Sequence, residues 1–165
     1  MTGIGTGIVL RLLHDGERDL EQDLLAAAAR HRTDHEFHHV ALDIARWSRE
    51  HAARIADAGR DHGLDLPGPR GNPSPGALAA LREEASEALG RRPETGLLLL
   101  NDLRDLHLAA ARNSLHWEML AQAAQATRDE RLLAVVTDCH PQTLRQLRWT
   151  NTMIKILAPQ LLTGV

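Results

Sequence analysis

Apolar residues recur along the first third of the chain with a period near 3.6, the signature of helices that each bury one stripe. Before a bend at about Thr33 the stripe reads Leu10, Leu13, Leu20, Leu24 and Ala27 or Ala28. After it come Phe37, Val40, Ala41, Ile44, Trp47, Ser48, Ile55 and Ala58. Each stripe has one gap filled by an ionisable residue, Glu17 in the first and His51 in the second. Glu17 lies about 16 residues before the bend and His51 about 18 after it, so an equal rise per residue sets them at similar height. A carboxylate and an imidazole are expected to meet between the two arms.

The same periodicity predicts a first helix over about 7–32 and a second ending at about His62, with Thr33 or Asp34 as the cap between them. Residues 64–94 break the pattern with prolines and glycines. Within them ALAALREEASEAL reads as a short amphipathic helix, and the whole stretch is long enough to cross the length of a bundle. A third helix is expected over about 95–126, with Leu99, Leu103, Leu106, Ala110, Asn113, Trp117, Leu120 and Ala124 inward. The fourth follows a bend at Arg128 and Asp129 and runs to about Leu157, with Leu133, Val136, His140, Thr143, Leu147, Asn151 and Ile154 inward. Pro141 inside it predicts a kink or break over 137–141, and Pro159 is expected to end it. The expected fold is all-α: an antiparallel four-helix bundle of two helical hairpins joined by a long crossover, in a single domain spanning 1–165.

Composition removes several function classes. The 165 residues suffice for one domain with a core, and the formal net charge of −3 is spread along every segment. No basic footprint for nucleic acid or for a membrane surface is therefore expected, and no apolar run approaches the length of a membrane span. The single Cys139 cannot form an intrachain disulfide, and the opening residues carry no basic and apolar secretory pattern, so the cytoplasm is the expected compartment. GIGTG at Gly3 has no strand before it and is not a dinucleotide loop. No arrangement of Ser, His and Asp marks a nucleophile, and no catalytic residue is assigned.

Hairpin, long crossover, hairpin is a plan that resembles the ferritin-like superfamily over about residues 7–157. LLHDGERDL at Leu12 is echoed by LLNDLRDL at Leu99, and the closing RQLRWTNTMIKILAPQLL is similar to the ends of small, uncharacterised ferritin-like proteins of actinobacteria. The resemblance implies a di-iron ligand set: a Glu on each of two helices and a Glu-x-x-His on each of the other two. Glu17 matches the first Glu and His51 the histidine of the second helix, but Ser48 stands three residues before His51. On the third helix Asn113 and Trp117 are inward with Glu118 one step round, and Thr137 stands three before His140. A complete di-iron centre, with its oxidation chemistry, is therefore not expected.

Two readings of the acid and imidazole stay open. His14, one turn before Glu17, completes with His51 a set of two imidazoles and a carboxylate suited to one divalent transition metal such as Zn, Fe, Ni or Mn. The other is a buried pair that fixes helix register. A second histidine feature, HRTDHEFHH, sets His35 and His39 one turn apart near the first bend, a surface chelating spacing. Two function classes follow. One is a metal-binding ferritin-like protein with a storage or redox-stress role; the other is a non-catalytic bundle that associates with itself as a homodimer or larger homo-oligomer.

Overall fold

The computed structural model describes residues 3–68 and 95–164. Among them are four helices and no strand: α1 (Ile4–Arg30), α2 (His35–Asp61), α3 (Thr95–Thr127) and α4 (Glu130–Thr163). The short helix expected within the crossover lies outside the described residues.

The stripes read from the sequence are the buried faces of α1, α2 and α3. Leu10, Leu13, Leu20 and Leu24 are buried on α1, Phe37, Ala41, Ile44 and Ile55 on α2, and every inward position expected of α3 is buried. Asp34 caps α2 by accepting from the Phe37 amide at 3.1 Å, and Asp129 caps α4 by accepting from Leu132 at 3.0 Å. The chain turns between α3 and α4 through Arg128 in the left-handed region, φ 53°. α1 packs on α2 and α3, and α4 packs on α3 and more sparsely on α2.

On α4 Val136 and Thr143 are buried as expected, but the centre of the buried face is rotated by about one residue from the expected one. Leu132, Cys139, Gln146, Thr150 and Met153 are buried, whereas Leu133, His140, Leu147 and Ile154 are half-buried and Asn151 is exposed. Gln146 and Thr150 join Thr143 in the buried stripe, so apolar periodicity alone places the centre of the face off its true phase. The helix also runs unbroken through Pro141 and past Pro159. Pro141 itself is exposed, so its ring is not forced into the packed side, and four residues earlier Thr137 turns its hydroxyl back to the Leu133 carbonyl at 2.8 Å.

The core is divided in two. One cluster gathers Leu20, Leu24, Phe37, Ala41, Leu103, Leu106 and Met153 near the α1–α2 bend. The other gathers Leu10, Leu13, Ile55, Trp117, Leu120, Leu132 and Val136 near the α3–α4 bend. Between them each helix turns polar side chains inward, with the small Ala52 as an apolar exception on α2. After α2, Leu64 and Leu66 pack on the second cluster, so the start of the link lies over α1 and α2. There a Cβ on Gly59 would come within 3.1 Å of Leu66.

Asp129 does two jobs that Asp34 does not, because its second oxygen also meets His62 Nε2 at 3.0 Å. Asp34→Ala should cost about 1 kcal/mol, the usual worth of an N-cap, and Asp129→Ala should cost more. Urea unfolding midpoints of the two variants check this, with equal losses as the contrary result.

Candidate functional site

Seven polar side chains fill the layer between the two apolar clusters: His14 and Glu17 from α1, Ser48 and His51 from α2, Asn113 from α3, and Thr143 and Gln146 from α4. None is more than 1 % exposed. Glu17 and His51 do meet, with His51 Nδ1 3.3 Å from Glu17 Oε2. The other carboxylate oxygen accepts from the Trp117 indole N–H at 3.2 Å, and the Trp117 ring stands edge-on to His51, centroids 5.7 Å apart. The far nitrogen of His51 lies 2.8 Å from Gln142 Oε1, to which it donates.

That last bond determines what can lie between acid and imidazole. With Nε2–H committed to Gln142, a neutral His51 presents the Nδ1 lone pair to a carboxylate oxygen. Two lone pairs at 3.3 Å repel, so a proton or a cation is needed between them. The pair is not aligned as an ordinary hydrogen bond: Glu17 Oε2 and His51 Nδ1 are both buried without a hydrogen-bond partner among the described residues.

The remaining polar groups divide into satisfied and unsatisfied. Gln146 donates to the Ile44 carbonyl and to Ser48 Oγ, both at 3.0 Å, but its own oxygen has no partner among the described residues. Thr143 Oγ1 and both polar atoms of Asn113 are likewise unpartnered among the described residues. Asn113 sits so close to α1 that a Cβ on Gly16 would be 2.2 Å from its Oδ1; glycine at 16 is what lets the amide reach this depth.

His14, expected as a third ligand, is turned elsewhere. Its Nε2 lies 2.5 Å from the Pro67 carbonyl and donates to it, tying α1 to the start of the link. Burial pushes its imidazole below the ordinary value despite that bond. Among the described residues no group of three or more His, Cys, Asp and Glu is gathered as a metal site. The donor set also does not fit the two-metal centre that the resemblance implies. Ser48 and Asn113 occupy interior positions where carboxylates would be required, Thr137 is exposed, and the exposed Glu118 turns to His140 Nδ1 at 3.6 Å.

The histidines at the first bend do not gather at one site, although His38 and His39 stand edge-on with ring centroids 5.3 Å apart. His35 and His39 are both exposed, and His38 donates from Nδ1 to the Ala28 carbonyl at 2.7 Å. His31 is buried and meets Asp102 at 2.7 Å, joined by Arg30 at 3.1 Å. Burial by itself would raise the Asp102 carboxyl, but the His31 and Arg30 hydrogen bonds and the Arg30 charge hold it below its usual range. Cys139 is buried and its thiol is pushed up to about 12 by that burial, which makes it inert as a nucleophile.

Sequence reasoning missed Gln142, Gln146 and the His31–Asp102 contact. The signal for Gln146 is its place midway between Thr143 and Thr150 at helical spacing. Nothing in the local pattern marks Gln142, which is reached only from His51.

Burial lowers the His14, His116 and His140 imidazoles, with the Arg112 charge adding to the effect at His116 and Glu118 opposing it at His140. Below the ordinary histidine value of 6.5 the unfolded chain then binds more protons than the folded one, so these groups cost stability as pH falls from above 6.5 through their lowered values. The urea midpoint should drop between about pH 7.5 and about pH 5.5. His14→Gln, which keeps a donor for Pro67 without titrating, should flatten part of that drop; an unchanged slope counts against it.

Compared with protein-family models, with curated proteins and with solved structures, the chain finds no match.

Proposed function

We propose that this protein is a non-catalytic helical bundle on the ferritin-like plan, two antiparallel hairpins joined by a long crossover, which works by associating with copies of itself. The observation that carries this reading is the row Leu108, Leu115 and Met119, 56, 62 and 52 % exposed on the outward side of α3. Leucines that ordinary packing would bury stay in water along a helix whose opposite side already fills the core. Large apolar side chains left exposed along one side of a helix are the kind of feature that an interaction site presents. In this reading the interior acid and imidazole lock helix register, since removing one partner of a buried pair costs about 3–5 kcal/mol.

Analytical ultracentrifugation over a concentration series tests the reading. The expected result is a dimer or larger assembly that dissociates on dilution. A monomer at every concentration contradicts it.

A second reading, one divalent transition metal held by Glu17 and His51, is favoured by one observation. Two donors each about 2.1 Å from a common metal at a tetrahedral angle lie ~3.4 Å apart, close to the Glu17–His51 separation. The Nε2–H bond to Gln142 is also the outer-shell contact that fixes a ligating histidine. His14 does not join them, so water or interior amide oxygens would complete the shell. Metal analysis of the purified protein and of His51→Ala separates the two readings. Stoichiometric metal lost in the variant supports the metal site, and equal metal content in both removes it.

A further inference from the structure

Each of the four helices brings to the polar layer a buried polar group that has no hydrogen-bond partner among the described residues. They are Glu17 Oε2 on α1, His51 Nδ1 on α2, the amide of Asn113 on α3 and Thr143 Oγ1 on α4. Contacts on either side set their heights. A Cβ on Gly16 would meet Asn113, and further along α1 His31 meets Asp102, so Glu17 is level with Asn113. His51 bonds Gln142, and Thr143 is one residue on, a rise of about 1.5 Å. Asn113 and Thr143 both fall between the Ser114–His140 and His107–Thr150 contacts that set α3 against α4. The four side chains therefore lie at one height, one from each helix, and none is more than 1 % exposed.

The separation of Glu17 Oε2 and His51 Nδ1 selects what fits between them. A proton held in a charge-assisted hydrogen bond draws two such atoms to about 2.7–2.9 Å. A water donating to both, at ~2.8 Å from each, needs them about 4.4 Å apart. An ion with bonds of ~2.1 Å needs about 3.0 Å at the right angle of a six-coordinate shell and about 3.4 Å at the tetrahedral angle. The observed 3.3 Å lies nearest the last.

We infer that the layer holds one four-coordinate zinc ion, with Glu17, His51, Asn113 and Thr143 as its ligands. The inference rests on the metal reading and adds to it the two missing ligands, the coordination number and the class of ion. Zn²⁺ takes four nitrogen and oxygen ligands with no d-electron preference, whereas Mg²⁺ demands a near-ideal octahedron. Neither polar atom of Asn113 is held by a hydrogen bond among the described residues, so its amide can turn its oxygen inward. A single carboxylate cannot bridge and neutralise two cations, so the layer takes one ion. Gln146 is not a ligand, because its bonds to Ile44 and Ser48 set it about one turn away from His51 along α2.

Titration of the metal-free protein with Co²⁺, followed by visible absorption, and with Zn²⁺, followed by calorimetry, tests the site. The wild type is compared with Asn113→Leu, Thr143→Val and His51→Ala, with circular dichroism melts to confirm that each folds. The expected result is one ion per chain and the intense visible bands of four-coordinate cobalt. Zn²⁺ binding should weaken at least tenfold in Asn113→Leu and in Thr143→Val and vanish in His51→Ala. Wild-type cobalt bands as weak as those of a six-coordinate ion overturn the inference whether or not the variants fold. Either of the first two variants binding Zn²⁺ as tightly as the wild type also overturns it, and leaves Glu17 and His51 with water as the metal reading. A wild type that binds neither ion overturns both.

Discussion

A carboxylate with no exposed surface sits near the middle of this bundle, and the surrounding layer is arranged around the cost of putting it there. Taking Glu17 out of water costs several kcal/mol, which only fixed donors can offset. One comes from Trp117 on α3, and the opposing imidazole comes from His51 on α2, itself held by Gln142 on α4. One acid on α1 is thus connected to all three other helices. If α2 or α4 slides by one turn, about 5.4 Å, the charge loses its surroundings, whereas a leucine in the same place tolerates many neighbours. The apolar clusters on either side supply burial, and the polar layer determines which of many possible alignments of leucine-rich helices is adopted.

The same layer is left incompletely satisfied. Asn113, Thr143 and Gln146 each keep a polar atom without a partner among the described residues although they are almost wholly enclosed. Each such atom costs about 1–3 kcal/mol relative to a bonded one. A layer built only for register could do without these groups, and their presence next to the Glu17–His51 gap is why the metal reading keeps a place beside the structural one. The two readings share one geometric root, a histidine whose outer N–H is committed to Gln142.

Much of this was legible from the chain. Three of the four buried stripes follow from apolar spacing, and the meeting of Glu17 and His51 follows from counting residues either side of a bend. These are local properties: a period of 3.6 and a constant rise. What was not legible depends on side chains that behave against type. Gln146 and Thr150 are buried on α4 because they reach Ile44, Ser48 and His107, none of which lies near them in sequence. The apolar pattern of α4 consequently points about one residue away from its true buried face. His31 looks like part of a solvated histidine cluster until Asp102, 71 residues later, is found against it. Pro141 reads as a break, yet its exposed position lets the helix continue.

The rotation of α4 links the interior to the outside. Turning Gln146 and Thr150 inward to serve the polar layer leaves Leu144 on the outward side, 46 % exposed. Had α4 followed its apolar stripe, Leu147 would be buried more deeply and the glutamine would be in water. The chain instead gives up some apolar burial on α4 to hold a polar contact with α2, and the displaced hydrophobicity appears on the outward side of α4. An exposed leucine is unremarkable by itself. Leu144 is one whose exposure follows from the demands of the buried polar layer, so the same choice of helix phase buries Gln146 and leaves a leucine in water.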